Sequence, residues 1–489
     1  MTLGLRGARI SGHDGPVDLI VDNGMITSVT PAGRTPMGAA EQLSVDGRWI
    51  VPGLWDNHVH FTQWARTSRR IDVSAAGSAD QAARLVSAAA ASRPGDDVLV
   101  GFGYRPEGWP DEPSKELLDD AAGSRPVVLI AGDLHACWLN SAAALRFAAG
   151  SREAVLREDD AFAVVAALES IDDSDTDADA WADEAAKRAA ERGIVGIVDL
   201  EMAWNRDVWL RRIRAGQDAL RVEFGIYAAD LGRAIDLGLR TGEVVDGSSG
   251  LLTVGPFKII TDGSLNTRTA YCFDPYPGSG GSAHPYGILT VPTDELVALM
   301  ALADDAGIVP AVHAIGDHAN HLALDAFEEV GCAGRIEHAQ LLAADDLARF
   351  ARLGVTASVQ PEHAMDDRDV ADRLWAGRTG RAFAFAALHN AGVKLALGSD
   401  APVAPLDPWA SIASAVARTR GDREPWHPEN AVSREVAISA SVRTSVAVGA
   451  VADLAIVERD PLACTLAELR RMPVAATLLG GRFTHRALG

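Results

Sequence analysis

Val51-Pro52-Gly53-Leu54-Trp55-Asp56-Asn57-His58-Val59-His60 reads as one apolar, strand-forming run that ends in two histidines one residue apart. Side chains on an extended strand alternate between faces, so His58 and His60 project to the same side, close enough to share one metal ion. Such a pair serves equally well as two ordinary strand histidines, so this stretch alone supplies half of a metal site and no more.

Four further candidates stand at or near the ends of later apolar runs. Lys258 lies in Gly255-Pro256-Phe257-Lys258-Ile259-Ile260, and His313 closes Ile308-Val309-Pro310-Ala311-Val312-His313. His338 closes Arg335-Ile336-Glu337-His338, and Asp400 closes Lys394-Leu395-Ala396-Leu397-Gly398-Ser399-Asp400. Between such runs the chain reads as helix. Thr293 is placed to cap a helix from Asp294 to about Ala306 with Gly307 as its stop, and Asp177 to Arg192 reads as a helix stopped by Gly193 before Ile194-Val195-Gly196-Ile197-Val198. Strands alternating with helices imply a parallel sheet under helical cover, and polar groups at the carboxyl ends of barrel strands face one rim. The expectation is an α/β fold, a (β/α)8 TIM barrel over residues 53–444.

The ends of the chain read differently. Val17-Asp18-Leu19-Ile20-Val21 and Met25-Ile26-Thr27-Ser28-Val29 flank Asp22-Asn23-Gly24, a strong hairpin signal. Asp453 to Val457 and Ala475 to Leu479, the latter turning at Gly480-Gly481 into Arg482-Phe483, suggest more short antiparallel strands. Neither piece buries a core alone, so residues 1–52 and 445–489 are expected to form one small β-sandwich. The stretch of about 61–185 exceeds what one barrel connection needs, and reads as a subdomain inserted after the first barrel strand. Within it Ser78 with Gln81 resembles a capping box, Pro126 to Ile130 an added strand, and Asp172 to Asp177 a solvated loop rather than a calcium loop.

A net charge of −22 disfavours nucleic-acid and anionic-membrane partners. Cys137, Cys272, Cys332 and Cys464 are scattered without a Cys-x-x-Cys pair, which fits reduced thiols and a cytoplasmic location. The first residues, Met1 to Gly7, lack the apolar core of a secretion signal, and no apolar stretch reaches membrane-spanning length.

The order His-x-His, Lys, His, His, Asp resembles the amidohydrolase superfamily, metal-dependent hydrolases built on a (β/α)8 barrel. Lys258 to Ala270, His313-Ala314-Ile315-Gly316-Asp317, Arg335 to Gln340 and Gly398-Ser399-Asp400-Ala401-Pro402-Val403 are more narrowly similar to its YtcJ-like branch, which contains N-substituted formamide deformylases. Trp55, where a small aliphatic residue is usual, and Asn266, where Gly is common, depart from that branch.

The resemblance implies a divalent metal, Zn2+ by the chemistry of neutral imidazoles, as one or two ions on His58, His60, Lys258, His313, His338 and Asp400. It also suggests that Lys258 is carboxylated, the carbamate bridging two ions; an unmodified Lys258 paired with Asp262 beside one metal is the competing reading. Asp400 is the expected proton shuttle for a metal-activated hydroxide attacking an amide or N-substituted formamide of a small organic molecule. His135, Asp262 and Arg268 are candidate substrate contacts, with a loop salt bridge as the alternative for Asp262 and Arg268; Trp64, Tyr104, Trp109 and His363 either roof the pocket or pack the insertion. Glu337 and Asp56 should point away from the metal, and His318, His321 and His389 read as surface residues. A mononuclear deaminase or cyclic-amide hydrolase of the same superfamily is the first rival, although Gly316 stands where its catalytic Glu is expected. A non-catalytic binding or scaffold protein is the second, disfavoured because all six ligand positions are retained. A homodimer stays open.

Overall fold

The computed structural model describes residues 2–34, 41–93, 95–104, 106, 109–131, 136–148, 151–171 and 175–488. The chain forms two compact units, Met1–Phe61 with Ala186–Gly489, and Thr62–Ala185.

Eight parallel strands make the centre of the first unit: β1 Leu54–Val59, β2 Ile194–Asp199, β3 Arg221–Tyr227, β4 Leu252–Ile260, β5 Pro310–Ala314, β6 Arg335–His338, β7 Thr356–Val359 and β8 Leu395–Leu397. Each pairs with the next in chain order. The ring closes where Val59 bridges Ala401, with Asp400 N–H on His58 O at 2.7 Å and His60 N–H on Ala401 O at 2.8 Å. All residues of β1 and β2 are buried, the pattern of a strand covered on both faces. The Trp55 indole occupies the space beside Gly196, where an added Cβ would lie 2.3 Å from the ring, so β2 needs glycine there. The Arg443 guanidinium covers that ring at 3.9 Å.

The cover helices include Thr293–Asp305, Asp317–Val330 and Asp346–Leu353. The cap expected at Thr293 is not used: the helix starts on Pro292, whose side chain offers no bond. Gly193 takes φ +82, as a helix stop before β2 requires.

Strands from both termini form two four-stranded sheets. Thr2–Ala8, Val17–Asp22, Met25–Pro31 and Glu41–Ser44 make one; Trp49–Pro52, Leu454–Val457, Val474–Leu479 and Arg482–Arg486 make the other. Asn23 and Gly24 turn the first hairpin at φ 48 and 79, the mirror-image turn that Asn-Gly favours. Leu5, Leu19, Val21 and Ile26 share one buried cluster with Ile50, Leu454, Ile456 and Leu478, so residues from both ends of the chain fill one core.

The second unit has a five-stranded sheet with helices Ala79–Ser92 and Lys115–Ala122. Ser78 caps the first by accepting from Gln81 N at 3.0 Å; the Gln81 side chain accepts from Gly77 N instead of Ser78 N, so the reciprocal half of the box is not made. Part of the acidic run, residues 172–174, lies outside the described residues. All four cysteines are free. Among the described residues no helix is long and apolar enough to cross a membrane.

Candidate active site

Where β1, β4, β5, β6 and β8 end, the backbone delivers six polar side chains to one cavity of about 500 Å3: His58, His60, Lys258, His313, His338 and Asp400 all line it. Two of these ends are bent out of regular strand geometry. His338 and Ala339 have φ 74 and 44, and Asp400 has φ 57, a region that L-residues other than glycine seldom occupy. Strain of this kind clusters at sites where a side chain must be aimed.

Asp400 Oδ1 lies 3.3 Å from Nε2 of both His58 and His60. On its other side the His58 ring is fixed by Glu337, whose carboxylate accepts from Nδ1 at 2.6 Å. Arg335 pairs with Glu337 and reaches the backbone oxygen of Asn57 and the Ser358 hydroxyl. Glu337 thus turns from the cavity, as alternation along β6 requires, yet orients a cavity histidine. The signal for this was in the sequence: Arg335 and Glu337 stand two apart on one strand and so share a face. Asp56, also facing away, accepts N–H bonds from His58 and Ser399 and ties β1 to the turn after β8.

The surroundings keep two of the rings, His58 and His338, neutral. Burial, helped by Lys258, pulls His58 down to about 4, and burial with His313 and His58 nearby holds His338 well below the usual imidazole range. His60 runs the other way: burial lowers it, but its hydrogen bond to Asp400 wins and raises it. Burial takes Lys258 down to about 8. For Asp400, burial raises the carboxyl, but His58, His60 and His363 outweigh it and the net shift is downward. Neutral imidazoles beside an ionised carboxylate are the protonation states in which these groups bind divalent metal.

The remaining candidates divide. His363 lines the cavity, 6% exposed. Asp262 does not: buried, it accepts N–H bonds from Tyr271, Ile315 and Gly316 and so holds the loops after β4 and β5. Nor does it pair with Lys258, whose Nζ has no hydrogen-bond partner among the described residues. Arg268 is exposed in that loop at φ 57 and does not line the cavity. Trp64, Tyr104 and Trp109 belong to the second unit, where Tyr104 is 1% exposed and both Tyr104 and Trp109 pack on Trp138. His135 lies outside the described residues. His318, expected as a plain surface residue, is stacked between Tyr271 and Phe273 at 4.5 and 4.3 Å. Sequence reading missed Gln340, Met202, Tyr227 and Asp367 as lining residues. Asn266, noted only as a departure, also lines the cavity and donates to Asp367 at 2.8 Å.

Comparison with known proteins decides what this arrangement belongs to. The model described as "Amidohydrolase family" matches residues 44–485. The chain belongs to the amidohydrolase family. It is 31% identical to the Protein LONG AFTER FAR-RED 3 of Arabidopsis thaliana, over 77% of this chain and 70% of that one. It is 27% identical to the putative amidohydrolase YtcJ of Bacillus subtilis, over 91% of this chain and 90% of the relative. It is 25% identical to an N-substituted formamide deformylase of Arthrobacter pascens, over 92% and 91%. As a member of this family the chain is a hydrolase acting on carbon–nitrogen bonds.

The family is metal-dependent, and the residues present fit a metal. Ligand atoms of His58, His338 and Asp400 lie within 4.8 Å of one another. Among the described residues, Lys258 Nζ, His313 Nε2 and His338 Nδ1 are buried with no hydrogen-bond partner, all from residues lining one cavity. Each such atom costs about 1–3 kcal/mol unless something repays it.

Proposed function

We propose that the chain is a zinc-dependent amidohydrolase that cleaves the carbon–nitrogen bond of an amide, most specifically an N-substituted formamide, in a small organic molecule. The observation that carries this reading is the set of buried nitrogens on Lys258, His313 and His338 without a hydrogen bond, His313 Nε2 meeting Asp262 Oδ1 at 3.4 Å, beside the carboxylate of Asp400. His58, His60, Lys258, His313, His338 and Asp400 would hold one or two ions. The free Lys258 Nζ leaves room for carbon dioxide to join the neutral amine, with loss of one proton, as a carbamate whose oxygens would bridge a pair. When bound, the metal supplies Lewis acidity toward a carbonyl oxygen and makes a water readily deprotonated.

The chain's own groups do the rest. Asp400, ionised and touching both histidines of β1, accepts the proton of the attacking water and returns it to the departing amine nitrogen. Met202, Leu265, Ile260, Ile315 and Val403 give the cavity an apolar wall suited to an N-substituent or acyl chain. The alignment with the formamide deformylase over nine-tenths of both chains points to the formyl group. A single-ion site has one observation in its favour, the compact His58, His338 and Asp400 cluster.

The test is elemental analysis of protein prepared with zinc and bicarbonate, together with formate release from N-phenylformamide and N-butylformamide. Zinc at one or two per chain with formate release supports the reading; metal-free, inactive protein under these conditions sinks it. Two ions falling to one in Lys258→Ala supports the bridged pair, whereas one ion in both proteins leaves the single-ion site.

A further inference from the structure

Among the described residues five histidines line the cavity, and His363 is the one outside the candidate ligand set. It sits on the short helix Pro361–Asp366, and its two ring nitrogens meet unlike surroundings. Nδ1 lies 3.4 Å from the side-chain nitrogen of Gln340, two residues past His338. Nε2 has no hydrogen-bond partner. It faces Asp400 Oδ2 at 3.8 Å, while Asp400 Oδ1 is the oxygen approached by His58 and His60. The carboxylate therefore divides the site, one oxygen toward His58 and His60 at the end of β1 and the other toward His363.

The Gln340 amide sets the tautomer. With its nitrogen toward the ring, Nδ1 of His363 accepts, and a ring with an accepting Nδ1 carries its proton on Nε2. That N–H points into the cavity with no acceptor among the described residues within hydrogen-bond distance. A ring in this state is a poor proton source, since losing the Nε2 proton would leave an imidazolate. Nor does it offer a lone pair at Nε2 to a metal. What it offers is a fixed donor beside the group that handles the proton.

We propose that His363 is a catalytic hydrogen-bond donor whose Nε2–H holds the substrate's carbonyl oxygen as negative charge develops there, with Gln340 as the positioning residue that keeps the proton on Nε2. The inference rests on the amide-hydrolysis reading above. As the water oxygen bonds to the carbonyl carbon, the carbonyl π pair moves to its oxygen and the water's proton passes to Asp400. The His363 proton stays on its ring throughout, so the role is stabilisation of charge. Donors of this kind are worth about 10²–10³-fold in rate.

The experiment uses the full zinc-loaded chain. His363→Phe removes the donor, His363→Gln places an amide N–H near the lost Nε2–H, and His363→Asn falls short of it. With N-phenylformamide as substrate, kcat should fall about 10²–10³-fold in His363→Phe with KM changed by less than about 3-fold and zinc content unchanged. His363→Gln should recover about 10-fold of that loss and His363→Asn should not. Gln340→Leu should lower kcat with zinc intact. Loss of zinc in His363→Phe would make the residue a ligand, and equal loss in the Phe and Gln variants would make it packing alone; either overturns the proposal. The tautomer is read independently of any substrate from imidazole 15N–1H correlations, with the His363 signal assigned by its disappearance in His363→Gln. A proton on Nδ1 overturns the inference. A proton on Nε2 in a protein that releases no formate sinks the amide reading alone and leaves the donor in place.

Discussion

Glu362 and His363 are consecutive residues of one short helix, both buried, and their polar atoms meet opposite fates. The Glu362 carboxylate accepts from Arg470 at 2.7 and 3.0 Å, from Arg420 at 2.8 Å and from the Ser414 hydroxyl. His363 turns to the cavity, where its Nε2 finds no hydrogen bond. The same split runs through the barrel. Polar groups outside the cavity, such as Asp262 and Asp56, are satisfied by backbone N–H groups, whereas the unpartnered nitrogens of Lys258, His313, His338 and His363 gather at the strand ends. Burial alone does not separate structural from functional polar residues; what marks the strand ends is that four unpartnered nitrogens converge on one cavity, whereas unpartnered atoms such as Ser411 Oγ and Asn320 Oδ1 lie outside it.

The largest expected effect tests the unsatisfied side. His58→Ala should lose zinc and formate release together, since it removes both a donor and the ring that Glu337 orients. Asp400→Asn keeps size and one oxygen but cannot take a proton, so activity should fall about 10²–10⁴-fold with substantial zinc still bound. Near-normal turnover of a zinc-loaded Asp400→Asn protein would remove Asp400 from proton transfer.

Glu362→Ala tests the satisfied side. It strands Arg420 and Arg470 beside an emptied position, and because both guanidiniums are partly exposed the cost should be about 2 kcal/mol rather than that of a fully buried pair. Denaturant unfolding should show that loss while zinc stoichiometry holds. Lost zinc at unchanged stability would erase the distinction between the two neighbours.

The barrel is legible in the sequence because its strands are nearly continuous apolar runs and each candidate ligand stands at or near a strand end, where alternation and topology decide its direction. The Asn23-Gly24 turn is legible because its positive φ values demand those residues. Partners brought from distant loops are not. Asp262 reads as a substrate contact until the paths of residues 271 and 315–316 bring three N–H groups to it. Tyr104 and Trp109 read equally as pocket roof or as packing until the second unit's sheet puts them against Trp138. The pairing of Gln340 with His363 needs the end of β6 beside a helix 23 residues later, a proximity no local pattern encodes.

The smallest expected effect falls on the residue that joins the two sides. Glu337 is fully buried and fully engaged, with Arg335 on one oxygen and His58 Nδ1 on the other, so it belongs to the satisfied account while touching the unsatisfied one. Burial raises its carboxyl, but Arg335 and His58 outweigh this and hold it well below the usual range, so it stands as a full negative charge behind the ring. That charge makes His58 Nε2 a better donor and fixes its direction, the service a carboxylate behind a metal-binding histidine performs. Glu337→Gln keeps the shape and still offers an oxygen to Nδ1–H, but loses the charge. Zinc affinity, measured by competition with a chelator of known strength, should weaken about 10–100-fold, while turnover per zinc-loaded chain should change far less than in Asp400→Asn. Unchanged zinc affinity with lowered stability would assign Glu337 to Arg335 alone, and the line between the two kinds of buried polar residue would then run between Glu337 and His58.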